Sequence, residues 1–365
     1  MSVISQESLG YLRLCLVPGV GAYTAQQLIE HFGSIDAIWQ QTPASWQSIE
    51  GIGPKLSQAL SEATSTKAQH ALDQLITQCA AANIQIISNE DDVWPEGLMS
   101  CNDSPLVLFV KGQPACLQSQ KILAIVGARK ASPEGKLIAR RWSTYCSNQN
   151  VCVISGMAPG IDSAAHGGSL DAEKAGIAVL GYGLEAGSAQ QRIQIDALAE
   201  RGCVLSEYPP QTVAKAGYFP QRNRLIAGIA QALVVVEGGL KSGSLITARQ
   251  ALNYGREVFA VPGSVLNDIH AGCHQLLKDG AILATDAEEI LQNLSWNTAK
   301  RVKKNYQPNS EIEAKIIKAL GRETLHIDAL AEDCSLTVPD LSSILLRLEL
   351  EGVIEKLPGS RYTLS

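Results

Sequence analysis

Between residues 84 and 284 the sequence alternates short apolar runs with amphipathic stretches, and few folds accept that alternation. The runs fall at 84–87, 106–110, 122–126, 152–154, 176–180, 203–206, 233–236, 258–261 and 282–284. Helical periodicity lies between many of them, as at 134–145, 162–175 and 245–254. Runs this apolar and this rich in β-branched residues read as strands buried on both faces, and helices between them supply the cover. The pattern predicts an α/β architecture, a Rossmann-like doubly wound parallel sheet with right-handed crossovers.

At 365 residues the chain is long for one domain, and its ends read differently from its middle. Residues 1–80 read as a helical domain of helix-hairpin-helix (SAM-like) type. Val17-Pro18-Gly19-Val20-Gly21 and Glu50-Gly51-Ile52-Gly53-Pro54-Lys55 each precede an apolar-periodic stretch. Such glycines leave helix N-terminal amides open to a phosphate, but only Lys55 adds a cation, which favours a bundle that merely packs. Residues 81–293 hold the sheet. Residues 294–310, with Lys300, Arg301, Lys303 and Lys304, have the composition of a linker. Residues 311–365 read as helices at 311–320, 327–332 and 337–350, with Thr337 as a cap, and a hairpin turning at Pro358-Gly359-Ser360. That is a winged-helix arrangement. Its third helix offers Asp340, Ser342, Ser343, Arg347 and Glu349, a poor complement to phosphate, which favours a protein-contact or regulatory role.

A formal net charge of −6 argues against a uniformly basic DNA coat and leaves room for a local basic groove. No apolar run of about 18 residues and no secretory pattern is visible. The 9 cysteines are scattered without a C-x-x-C pair, as in a reducing compartment. A cytoplasmic protein without membrane insertion is expected.

In open parallel sheets, ligands bind beyond the carboxyl ends of the strands. The unusual residues cluster there: Gly127-Ala128-Arg129, then Ser155-Gly156-Met157-Ala158-Pro159-Gly160-Ile161-Asp162 ahead of a helix with His166. Gly181-Tyr182-Gly183 follows the next run, and Glu237-Gly238-Gly239-Leu240-Lys241-Ser242-Gly243-Ser244 opens a helix with Thr247. Phe219-Pro220-Gln221-Arg222-Asn223-Arg224 precedes the 233–236 run. Glycines admit close backbone approach, hydroxyls donate, and helix N-termini offer amides to an anion. Arg129, Arg222, Arg224 and Lys241 add cations, taken here to stand on separate strand-end loops. Neither G-x-G-x-x-G nor G-x-x-x-x-G-K-[ST] occurs, so no cofactor is expected and an extended phosphate ligand fits better.

Those blocks resemble the signatures of the DprA/Smf family of DNA-processing proteins: Gly127-x-Arg129, the 155–166 block, Phe219-Pro220-x-Arg222-Asn223-Arg224, Lys241-Ser242-Gly243-Ser244 and Tyr254-Gly255-Arg256 through Pro262-Gly263. The resemblance implies single-stranded DNA binding and protection in natural transformation, with loading of the RecA recombinase. It also implies a homodimer formed through the Rossmann-like domain. It places Gly127, Arg129, Ser155, Gly156, Ala158, Gly160, Ile161, Asp162, Arg222, Asn223, Arg224 and Lys241, Ser242, Gly243 and Ser244 along the DNA groove, with His166 and Thr247 as structural neighbours. One stretch departs: members often carry a Tyr-Pro pair and an Asn after the third strand's glycines, where this chain reads Leu184-Glu185-Ala186-Gly187-Ser188-Ala189-Gln190-Gln191-Arg192.

Ser155, Asp162 and His166 lie too close around one junction for a hydrolytic triad, so Asp162 is expected to cap the helix and His166 to bond a neighbouring loop. No catalytic residue is assigned. His270, Cys273 and His274 lack a fourth ligand, so no metal is expected. The alternative function is a phosphoribohydrolase acting on nucleotides, suggested by Glu237-Gly238-Gly239.

Overall fold

The structure, a computed structural model, describes residues 4–296, 308, 310–321, 324–334, 336–350, 353–357 and 359–364. It divides into two compact units, Met1–Ala299 and Lys300–Ser365. Most of the 294–310 linker, Lys300–Lys304 included, lies outside the described residues.

The first unit opens with helices α1 (Gln6–Cys15), α2 (Ala22–Phe32), α3 (Ile35–Trp39), α4 (Pro43–Trp46), α5 (Pro54–Glu62) and α6 (Thr66–Ala81). The two glycine phrases sit before α2 and α5, whose caps Gly21 and Gly53 provide no side-chain hydrogen bond. A small core of Leu28, Ile38, Trp46 and Leu60 joins these helices, and Trp46 Nε1 donates to Ile38 O at 3.0 Å. Tyr11 and Leu12 of α1 and Leu72 of α6 pack instead against sheet residues such as Ile86 and Phe109.

The sheet strands are β1 (Ile84–Ser88), β2 (Val107–Gly112), β3 (Ile122–Val126), β4 (Cys152–Ser155), β5 (Gly176–Leu180), β6 (Cys203–Ser206), β7 (Ala232–Val235), β8 (Glu257–Ala260) and β9 (Ile282–Leu283). Their order is β1-β2-β6-β5-β4-β3-β7-β8-β9. The pairs from β6 to β9 are parallel, while β1 pairs β2, and β2 pairs β6, antiparallel. The sheet is therefore mixed rather than wholly parallel. Along β3 the side chains alternate between two cores. Ile122, Ala124 and Val126 join one with Leu225, Leu245 and Leu276, and Leu123 and Ile125 join the other with Trp142, Ala165 and Ile290.

The covering helices are α7 (Glu96–Met99), α8 (Pro133–Asn148), α9 (Ile161–Asp171), α10 (Ala189–Ala199), α11 (Tyr218–Ile229), α12 (Gly243–Asn253), α13 (Ala271–Lys278) and α14 (Ala287–Asn293). From β3 the chain builds β4, β5 and β6 to one side, then returns across β3 to place β7, β8 and β9 on the other. The reversal of direction lies between β3 and β7, where a doubly wound sheet opens a crevice at its carboxyl edge.

The second unit holds α15 (Glu311–Leu320), β10 (Leu325–His326), α16 (Ile327–Cys334), α17 (Val338–Leu350), β11 (Ile354–Leu357) and β12 (Arg361–Leu364), with sheet order β10-β12-β11. Short β10, which the sequence pattern did not announce, completes the winged-helix sheet. Thr337 Oγ1 accepts from Asp340 N at 3.4 Å, capping α17 as its sequence predicts. Arg347 pairs with the buried Glu313, so its charge is already engaged, and Leu346 is 58% exposed on the same helix. Among the described residues, no helix is long and apolar enough to cross a membrane.

Candidate nucleic-acid interface

A groove of about 600 Å³ opens at the carboxyl ends of β3 and β7. Ala128 N donates to Glu237 O at 2.7 Å, which joins the turn after β3 to the turn after β7 across the reversal point. Gly127, Arg129, Ala158, Asp162, Arg222 and Asn223 line one part, and Lys241, Ser242, Gly243, Ser244 and Thr247 the other. A smaller recess of about 180 Å³ adjoins it, sharing Arg129, Ala158, Phe219 and Arg222 and adding Gly156, Met157 and Tyr182.

Each cation has a distinct situation. Arg129 is exposed at the edge, with its guanidinium carbon 5.0 Å from the centre of the Phe219 ring. That contact holds a planar cation beside an aromatic face while leaving its donors free for phosphate. Lys241 is exposed just before α12, whose cap Ser242 accepts from Ser244 N. The first turn of α12 thus meets the groove with its amides and the positive end of its dipole.

Arg222 and Arg224 correct the expectation of strand-end loops: both lie on helix α11. Residues two apart on a helix point to nearly opposite sides. Arg222 turns inward, 4% exposed, and donates from Nη1 to the carbonyls of Gly156 and Val179, at the ends of β4 and β5. Arg224 turns away, pairs with Glu207 and donates to Asp103 O, so it is absent from the groove lining. Ser155 and Ile161 are fully buried, and Ser155 Oγ donates to Ile125 O at 2.6 Å. Gly160 lies behind the lining, at the cap of α9.

Asp162 is not the cap of α9. That position belongs to Gly160, and the Asp162 carboxylate reaches back to Ala158 N at 3.4 Å. Burial pushes the Asp162 carboxyl up, and the charge of Arg222 pulls it partly back. His166 is 4% exposed and faces the backbone of Ser155 at the end of β4, although among the described residues neither ring nitrogen comes within full hydrogen-bond geometry of a partner. Burial, aided by the Arg222 charge and only partly offset by the Ser155 backbone, pushes its imidazole down to about 4. The Ser155 hydroxyl is spent on Ile125 O of β3 rather than on His166. His274 Nε2 lies 3.0 Å from Gly263 O, and among the described residues no group of metal-ligating side chains could hold an ion.

Glu237 turns away from the groove. Only 2% exposed, it accepts from Ser132 N at 2.9 Å and Ser132 Oγ at 2.5 Å, fastening the start of α8. The departing stretch after β5 folds as a turn and the start of α10. Ser188 and Gln191 close a capping box there, and Gly187 and Gln191 line the small recess. Sequence reasoning missed Phe219, Tyr182 and Met157 as lining residues. It also missed Lys215, 5.5 Å from the Tyr218 ring on the loop whose Ala214 and Ala216 edge the two recesses. The aromatic Tyr218-Phe219 pair beside a basic loop was the available signal.

Residues 83–295 match the family model of DNA recombination-mediator protein A, residues 303–360 the DprA winged helix domain, and residues 13–72 a helix-hairpin-helix motif. The chain belongs to the DprA/Smf family. It is 38% identical over 287 residues to protein Smf of Escherichia coli K12, covering 76% of each chain. The X-ray structure of DprA from Streptococcus pneumoniae superposes with a TM-score of 0.69 at 31% identity, over 78% of this chain and 97% of that one. Helicobacter pylori DNA processing protein A, studied for its single-stranded DNA binding mode, gives a TM-score of 0.52 at 25% identity, over 58% of this chain and 96% of that one. Within this DprA/Smf chain, the groove, the recess and every block that carries the resemblance lie inside the segment matched by the main family model.

Proposed function

We propose that this protein binds single-stranded DNA in the groove between β3 and β7 and acts by binding rather than catalysis. The observation that carries the reading is one surface holding two exposed cations, Arg129 and Lys241, the first turn of α12, and an aromatic ring under Arg129. Together these suit a chain of phosphates with a base beside it. Its H. pylori relative, studied for single-stranded DNA binding, supports the same ligand. In this reading the protein is cytoplasmic, dimerises through the Rossmann-like domain, shields incoming strands in transformation and recombination, and loads the RecA recombinase onto them. Residues 1–80 and 311–365 act as accessory domains, the second through protein contact. The phosphoribohydrolase alternative loses its carboxylate, since Glu237 is spent on Ser132.

The test is fluorescence-anisotropy titration of a labelled single strand across a salt series. Removing two phosphate contacts in Arg129→Ala/Lys241→Ala is expected to flatten the log–log salt slope by about 1.4. At about 1 kcal/mol per contact, affinity should fall roughly 30-fold. Arg224→Ala should leave the slope unchanged while lowering stability by about 1–3 kcal/mol, because Glu207 loses its partner. An unchanged slope in the double variant would move the DNA site to another domain. Absence of wild-type binding, together with release of free base from a nucleoside monophosphate, would restore the hydrolase.

A further inference from the structure

Three cysteines far apart in sequence meet at the amino ends of the parallel strands, the end of the sheet opposite the groove. Cys203 opens β6 and Cys152 opens β4, and both are buried. Cys116 lies in the 3₁₀ turn Pro114–Gln118 that leads from β2 into β3, and its Sγ is 3.3 Å from that of Cys203. The position is held from both sides. Gly112 of β2 pairs with Cys203, Gln113 N donates to Gly202 O at 2.8 Å, and Gln113 Nε2 donates to Glu200 O at 2.7 Å.

Of the chain's nine cysteines, Cys15 and Cys116 are half-buried and the rest are buried. Those two differ in chemistry. Burial pushes the Cys15 thiol up to about 12. At Cys116, the Cys152 and Cys203 thiols stabilise the sulfur's negative charge by hydrogen bonding, which lowers its pKa despite burial. Among the described residues no cysteine cluster has the arrangement of a metal site, so redox chemistry is what the sulfurs share.

We propose that Cys116 is a peroxide-reactive thiol that closes a reversible disulfide with Cys203. The Cys116 thiolate attacks one oxygen of hydrogen peroxide. An S–O bond forms, the O–O bond breaks, and the departing oxygen leaves as water after taking a proton. The sulfur of Cys203 then attacks the sulfenic acid at Cys116. The S–S bond forms, the S–O bond breaks, and a second water leaves with the Cys203 proton. Two thiols are oxidised by two electrons as the peroxide is reduced, and a dithiol reductant reverses the step. Moving from 3.3 Å to a bond of about 2.05 Å asks for a shift of about 1 Å. The product ties the β2–β3 connection to β6 and thereby joins the antiparallel edge of the sheet covalently to its parallel part.

The full-length reduced protein is exposed to hydrogen peroxide, blocked with N-ethylmaleimide, digested and mapped by mass spectrometry. The expected product is a peptide pair holding Cys116 and Cys203, lighter by two hydrogens and separated by dithiothreitol. In Cys203→Ala, dimedone should trap a sulfenic acid at Cys116. Native alkylation should reach Cys116 at least about tenfold faster than Cys15, as the thiolate fraction dictates. Wild-type mapping decides the matter without any variant. A bond from Cys116 to Cys152, oxidation at Cys15 first, or Cys116 left reduced while other thiols oxidise would each overturn the assignment.

Discussion

Gly160→Ala is expected to lower the stability of the first unit by about 3–4 kcal/mol, with single-stranded DNA affinity falling as the floor of the groove shifts. Gly160 adopts φ 92 and ψ −125 at the cap of α9, a region that side-chain-bearing residues rarely enter. A Cβ there would stand 2.2 Å from Ala128 O and 2.7 Å from Arg129 O, both backbone atoms of the turn that carries Arg129. Relief would need either α9 or that turn to move. Gly243→Ala supplies the contrast. It is the first residue of α12, a Cβ there meets nothing within 4 Å, and it borders the groove. Alanine should stabilise that helix by up to about 1 kcal/mol while weakening DNA binding several-fold, since the methyl occupies ligand space. Urea unfolding followed by tryptophan fluorescence separates the cases, because all five tryptophans (39, 46, 94, 142 and 296) belong to the first unit. Equal urea midpoints for wild type and Gly160→Ala would refute the account of this turn.

How much of this was legible beforehand depends on the range of the interaction. The strand runs were legible because burial on both faces leaves a local mark, and β3 shows it in every residue. The position of the groove followed from the same runs, since their carboxyl ends carry the glycines and hydroxyls. Strand direction was not legible: β2 runs antiparallel to β6, and an apolar run looks alike either way. Arg222 and Arg224 were misread as loop residues, yet they lie in α11, whose first turn tolerates Pro220. Once they are helical, their two-residue spacing forbids a shared groove. Nor could the burial of Arg222 be read, because it depends on carbonyls at 156 and 179, which only the assembled sheet brings within reach. The Cys116, Cys152 and Cys203 cluster escaped notice for the same reason.

His166 should give the first unit an acid-sensitive stability. Its imidazole is 4% exposed, and burial with the adverse positive charge of Arg222 outweighs the small opposing effect of the Ser155 backbone. In the unfolded chain it takes a proton near the ordinary 6.5, whereas in the fold it does so only near about 4. Below 6.5 the unfolded state therefore binds more protons than the native state, so stability falls as pH falls. The contribution is fully present above pH 6.5 and disappears across the window down to about 4; the full interval converts to about 3 kcal/mol. Asp162 works in the opposite sense at the acid end. Its raised carboxyl accepts a proton more readily in the fold than in the unfolded chain and offsets part of the loss. Comparing wild type with His166→Leu cancels the Asp162 contribution, because Asp162 and the other carboxylates are present in both proteins. Tryptophan-monitored urea unfolding at pH 7.5, 6.5, 5.5 and 4.5 should show the wild type losing about 2–3 kcal/mol more than the variant over that range. Parallel pH profiles would mean that the native imidazole titrates like a free one. A wild type gaining on the variant in acid would mean that the imidazolium is paired in the fold, and that Arg222 and Asp162 sit in another arrangement beneath the groove.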